Sequence, residues 1–305
     1  MTPRLLAALA LLAASVTLSA CLPRNRTPNP PAPTQVPPAA STPVASTPAP
    51  VTGPAAFVFE GELEQGGWIR GQAPAGTRSA VLGDRPLIVG GDGRFFAGFD
   101  RDAAAGAVLS ATLADGRTVE RALTIRPRAW RIERVDAALR PAGTNEAFRA
   151  RRAPELARIA AARALRNNVD GWRQRFAWPA TGRISGLFGA QRIYRGQPGS
   201  YHSGLDIAAA RGTPFTAPAD GVVVLASAEE FTLEGRLLIV DHGQGLTSAF
   251  LHADSLAVAE GQRVRQGQVL GTVGATGRAT GPHLHWGLVW QGARLDPLLF
   301  LPPRP

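Results

Sequence analysis

The stretch Gly281-Pro282-His283-Leu284-His285-Trp286-Gly287-Leu288-Val289-Trp290 decides how the C-terminal part of this chain is read. A glycine-proline turn leads into a run of aromatic and aliphatic side chains, which predicts a strand over His283 to Trp290. Residues two apart on a strand point to one face, with Cα atoms about 6 to 7 Å apart, so His283 and His285 are expected to face one pocket. One of the pair can bind a metal while the other serves a reaction. Working back from this strand, similar valine-rich segments lie between glycine turns at Gly221 to Leu225, Leu237 to Val240, Leu246 to Phe250 and Val269 to Val273. Short strands at regular spacing predict an all-β domain over residues 177–303.

All 5 histidines of the chain fall in that segment. Besides the His283-Leu284-His285 pair there are His202-Ser203-Gly204-Leu205-Asp206, Leu251-His252-Ala253 and His242. Catalytic zinc sites commonly take three protein ligands from His, Asp or Glu and keep a position for water. Two imidazoles and one carboxylate satisfy that rule and leave the site with a net positive charge. His242 is expected to be a turn residue.

Further out, the texture changes. The net charge of +10 is carried by arginine alone, since the 305 residues contain no lysine, and this usage reads as compositional bias. The arginines cluster between Arg121 and Arg175, where a solvated helix face accounts for them and no nucleic-acid partner is expected. Arg4, an apolar run from Leu5 to Val16 and the exit Leu18-Ser19-Ala20-Cys21 have the layout of an export signal over residues 1–20. The run is too short for a transmembrane helix, which needs about 20 residues. Leu-Ser-Ala-Cys resembles a lipobox, which implies acylation of Cys21 and attachment to a lipid membrane. By the same resemblance to Gram-negative lipoproteins, Leu22 after the cysteine implies the periplasmic face of the outer membrane. Residues 21–55 are rich in Pro, Ala, Thr and Ser and read as an extended tether. Residues 56–130 carry β-type segments punctuated by Gly83-Asp84, Gly91-Asp92-Gly93 and Asp115-Gly116, predicting a small β-sandwich. Residues 131–176, without glycine from Asn145 to Asn168, read as a helical connector in which Pro154 starts or interrupts a helix.

The motifs after residue 177 resemble, in order, those of the lysostaphin-type zinc metallopeptidases. They are Trp178-Pro179, Ser185-Gly186-Leu187-Phe188-Gly189, His202 to Asp206, Gly212-Thr213-Pro214, Ala217 to Gly221, Asp241-His242-Gly243, Leu251-His252, Gly261 to Val264, and Gly274 to Gly277 through Gly281 to Trp286. The resemblance implies a mainly β chain ending in an open two-layer β domain of the duplicated hybrid motif kind, with a groove for an extended peptide. It implies that His202, Asp206 and His285 hold Zn2+ while His252 and His283 act as an unligated catalytic pair. His283 is the expected base toward water, and His252 the expected donor to the oxyanion or the leaving amine. The implied activity is hydrolysis of peptide cross-links in bacterial peptidoglycan, with stem peptides as substrate. The alternative is a silent activator of cell-wall amidases. One departure is Gly235-Arg236, where many relatives have Gly-Asn.

Overall fold

The computed structural model describes residues 53–139 and 145–304. The expected export signal, Cys21 and nearly all of the tether lie outside the described residues. Among the described residues, no helix is long and apolar enough to cross a membrane.

The described residues are mainly β, with one α-helix and no closed barrel among them. The N-terminal strands form two antiparallel sheets. One contains Val58–Gly61, Trp68–Gln72 and Arg94–Gly98; the other runs Arg85–Leu87, Thr77–Leu82, Gly106–Leu113, Thr118–Thr124. Leu109, Ala111 and Leu113 are buried on alternate positions of their strand, the period that puts one face of a sheet on a core. The next strand is reached through Asp115-Gly116, where Gly116 takes φ +87°, a conformation that costs glycine little.

Although the sequence reads as separate modules, one continuous apolar core runs from the N-terminal sheets into the C-terminal part. Phe96, fully buried, meets Trp290 edge-on at 6.5 Å between ring centroids, and Trp68 lies 5.2 Å from Phe300. The Trp68 indole N–H also donates to the Leu299 carbonyl at 3.0 Å. Large aromatic groups dominate such contacts because each buries roughly 150–250 Å².

The C-terminal part is built on one antiparallel sheet of ten strands. Its path is Arg263–Val264, Gly221–Ala226, Arg236–Asp241, Leu246–Leu256, His283–Trp290, Leu205–Ala208, Arg183–Gly186. Along His283–Trp290, Leu284, Trp286, Leu288 and Trp290 enter the main core, so His283, His285, Gly287 and Val289 share the opposite face. The helix Glu146–Ala164 packs over part of that face. Asn145 caps it by accepting from the Phe148 N–H at 2.9 Å, and Ile159 and Ala162 bury against Leu237, Ile239 and Ala249. Arg152 pins the helix by donating through both terminal nitrogens to the Glu234 carboxylate, each at 2.6 Å. The segment before the helix is not wholly connector: Ile132–Val135 is a strand pairing in parallel with Gln191–Tyr194.

His242 sits in the hairpin connection between Arg236–Asp241 and Leu246–Leu256, as expected of a turn residue, and it is fully buried there. Its Nδ1–H donates to the Asp220 carbonyl at 2.8 Å, and its Nε2 lies 2.7 Å from the Ser248 hydroxyl, which in turn accepts from the Trp286 indole at 3.1 Å. Burial lowers the His242 pKa to about 4, against weaker opposition from the Asp220 carbonyl and the Asp241 and Asp220 charges. The folded state therefore holds fewer protons here than the unfolded chain between pH 6.5 and 4, and stability falls as pH falls through that window. The expected loss from this residue is on the order of 3 kcal/mol. Urea unfolding at pH 7 and 4.5 measures it, and His242→Gln should show a shallower pH dependence than the parent chain.

Candidate metal centre

Strand register brings the centre together. Asp206 lies directly opposite His285 across the Leu205–Ala208 and His283–Trp290 pair, and Leu251 lies opposite His285 on its other side. Directly opposed residues have Cβ atoms about 5 Å apart, close enough for their side chains to share a ligand. His202 enters from the segment before Leu205, where its N–H donates to the Ala190 carbonyl and its carbonyl accepts from the Gly189 N–H, both at 2.8 Å. The His202 Nδ1–H donates to the Leu187 carbonyl at 3.0 Å, which leaves Nε2 without a proton.

Three acceptor atoms then face one another. His202 Nε2 is 3.0 Å from Asp206 Oδ1 and 3.0 Å from His285 Nδ1, and His285 Nδ1 is 2.8 Å from Asp206 Oδ1. Lone pairs at such distances repel unless a proton or a cation lies between them. A tetrahedral zinc ion with ligands at 2.0–2.1 Å spaces them about 3.3 Å apart, so the triangle fits that ion with little adjustment. Among the described residues this is a group that could hold a metal. The same demand for positive charge governs the protonation of the metal-free centre. Burial opposes charging of His202, but the hydrogen bond and charge of Asp206 and the Leu187 carbonyl outweigh it and raise its pKa. At Asp206, burial favours the acid form, and the hydrogen bonds and charges of His202 and His285 overcome it, holding the carboxyl well below its usual range. Burial leads at His285 and lowers its pKa despite the Asp206 hydrogen bond.

His252 and His283 stand beside the triangle, with ring centroids 4.9 Å apart. His283 Nε2 is 3.8 Å from Asp206 Oδ1, and its Nδ1–H donates to the Gly281 carbonyl at 2.8 Å. The His252 Nδ1–H donates to the Thr276 carbonyl at 2.8 Å. Each ring therefore presents a bare Nε2. The backbone of His252 has φ +63°, unusual for a residue with a Cβ. It sits where the pairing of Leu246–Leu256 with Arg236–Asp241 slips, between Phe250 and Ala253. Strict alternation would send His252 into the core after Leu251; the irregularity re-aims it toward His283. Burial first, then the neighbouring His283 and His285, lower the His252 pKa to about 4, so this imidazole is neutral at neutral pH. Arg236 finds its place here too: its N–H donates to Thr276 Oγ1 at 2.9 Å, beside the carbonyl that holds His252.

Sequence reasoning did not single out Arg101. Buried and reaching from the N-terminal sheets, it donates through Nε and Nη2 to the Gly189 carbonyl at 3.2 and 3.0 Å, and its guanidinium stacks over Tyr201 at 4.7 Å. Gly189 and Tyr201 flank the backbone that places His202. Arg101→Ala is expected to weaken metal binding at this centre about tenfold, the low end for outer partners of a ligand. Competition with a chelating dye reads it, and Arg101→Lys should not restore affinity, since an ammonium lacks the planar fork.

Residues 200–297 match the model of peptidase family M23. This segment is an M23, lysostaphin-type peptidase domain. The similarity extends beyond the M23 domain itself: a solved structure from Pseudomonas aeruginosa assigned to peptidase M23 superposes with a TM-score of 0.60 at 29% identity, over 78% of this chain and 95% of that one. Two curated relatives divide in their names. The peptidoglycan DD-endopeptidase ShyC of Vibrio cholerae is 38% identical over 117 residues, covering 38% of this chain and 26% of ShyC. The murein hydrolase activator NlpD of Escherichia coli is 34% identical over 136 residues, covering 45% of this chain and 32% of NlpD. The chain spans about a third or less of either relative's length. M23 peptidases are zinc-dependent, which agrees with the acceptor triangle of the M23 domain.

Proposed function

We propose that this chain is a zinc-dependent endopeptidase that hydrolyses peptide cross-links of bacterial peptidoglycan, anchored in the cell envelope through acylated Cys21. The observation that carries the reading is the convergence of His202, Asp206 and His285 on one point with two further imidazoles beside it. The three residues hold the ion, and zinc, when bound, supplies Lewis acidity toward water and the scissile carbonyl. His283, whose Nε2 lies 3.8 Å from Asp206 Oδ1 on the site face, takes the proton from water at that nitrogen. We assign His252 a role other than the donor role that the resemblance implies, on the ground of where the one proton of its neutral ring sits. Its only proton is committed to Thr276, so at rest it cannot donate to an oxyanion; its Nε2 accepts the second hydrogen of the water and orients it.

The second reading, an activator of separate amidases, draws on the NlpD similarity. Purified sacculi incubated with the full chain, with and without a zinc chelator, separate the two. New peptide termini, suppressed by chelator, support the endopeptidase. Release seen only when an amidase is added, with none from the chain alone, overturns it.

A further inference from the structure

A cavity of about 150 Å³ lies beneath the Glu146–Ala164 helix, against the face of the sheet that carries His285. Its polar wall is formed by Arg152, Arg163, Ser203, Glu234, His285 and Arg294. The one carboxylate in that wall, Glu234, is already held on both oxygens by Arg152. Arg163 Nε is shielded from solvent, and among the described residues it has no hydrogen-bond partner. Burial, and after it the positive charge of Arg294, disfavour the charged form of Arg163, with only partial relief from Glu234. Two cations thus share a small cavity; Arg294 leans on the Tyr201 hydroxyl, and among the described residues neither guanidinium has a carboxylate at ion-pair distance.

The third donor comes from the metal centre. His285 turns Nδ1 toward Asp206 and His202, so Nε2 lies on the far side of the ring. There it packs against Gly204, where an added Cβ would come within 2.7 Å of it, and borders the cavity beside Gly287, where an added Cβ would lie 3.8 Å away. An imidazole whose Nδ1 lone pair serves a metal carries its proton on Nε2, and a ligating histidine nearly always donates that proton to an acceptor. Within the described residues no side chain or carbonyl takes this role for His285.

We infer that this cavity binds a small oxyanion, a carboxylate or phosphate group, between Arg163, Arg294 and the Nε2–H of His285. The volume suits the group together with one or two waters, each needing about 30 Å³. Arg294 is exposed and marks the side from which the anion enters. The site goes beyond the peptidase reading and does not depend on it, because an amidase activator with the same side chains would hold the same anion. Where zinc is bound, the anion fixes the orientation of the His285 ring and tightens the metal, and zinc tightens the anion by the same factor.

The test uses the full chain, zinc-loaded and metal-stripped, at constant ionic strength set by chloride. Thermal unfolding is followed with acetate, inorganic phosphate, N-acetyl-dialanine and the amide of that dipeptide. Measuring the metal-stripped chain removes any effect of anions on zinc itself. The midpoint should rise by about 3 to 6 °C at tenfold excess over Kd. The rise should be lost in Arg163→Gln and reduced in Arg294→Gln, whose exposed position leaves the fold intact if the first variant does not fold. A response to acetate or phosphate identifies a free oxyanion; a response only to the dipeptide acid, and not to its amide, identifies a peptide carboxylate. No response to any of the four, or one unchanged in the variants, overturns the inference. Peptide-bond hydrolysis is not read, so failure here and failure of the peptidase reading remain distinct.

Discussion

Asp206→Ala is expected to yield a folded protein that carries no zinc at micromolar concentrations and has lost wall hydrolysis about 10³-fold or more. Asp206 is central to the centre in a way neither histidine is. Its Oδ1 lies within 3.0 Å of both His202 Nε2 and His285 Nδ1, and it supplies the only negative charge in the triangle. Removing it leaves two neutral imidazoles, one fewer than the three protein ligands typical of catalytic zinc. It also removes the Lewis acid, worth several kcal/mol of transition-state stabilisation, where each 1.36 kcal/mol is tenfold in rate. The fold should survive, because Leu205 and Ile207 of the same strand remain fully buried and the cut is confined to the site face. Metal analysis after gel filtration and digestion of sacculi give the two readouts. Stoichiometric zinc with undiminished lysis in this variant would remove Asp206 from the ligand set.

Strand periodicity alone makes part of the site legible in the sequence. His283 and His285 fall on one face because a strand has period 2, and nothing beyond the sequence is needed to see it. The partner of His285 is another matter: Asp206 reaches it through a register set by long-range pairing, which local pattern does not encode. His252 breaks the period outright. Alternation along Leu246 to Phe250 assigns it to the core, and only the slip in pairing with φ +63° turns it to the site. His242 lies in the hairpin connection that the sequence assigns it, but its full burial, supported by the hydrogen bonds to Asp220 and Ser248, depends on long-range packing that a turn position does not encode. The N-terminal sheets hold no histidine, cysteine or convergent acidic set in the sequence, which points to a positioning or binding module without saying which residue does the positioning. Arg101 lies 88 residues before the Gly189 carbonyl it holds, without a motif to mark it. The parallel strand Ile132–Val135 was likewise hidden, because its arginine and glutamate side chains are exposed and leave no apolar alternation.

Loss of either unligated histidine should separate chemistry from metal binding. His283→Ala and His252→Asn are each expected to keep zinc and to lose about 10² to 10⁴ in turnover, the range for removing a positioned acid or base. Asparagine is the better replacement at residue 252, because at φ +63° alanine would add backbone strain on the order of 1 kcal/mol, whereas asparagine tolerates this conformation. A fall in activity of His252→Asn then reports the missing imidazole and not a loosened strand. The two variants should also differ from each other. His283, 3.8 Å from the Asp206 carboxylate, takes up the proton, so its loss should respond to added small bases such as imidazole. His252 is held neutral and contributes by accepting a hydrogen at a fixed place, so a diffusible base should not replace it. Equal rescue of both variants would argue that the two rings exchange roles. If both retained zinc and sacculus digestion at the parent rate, the pair would be structural and neither ring would belong to the chemistry.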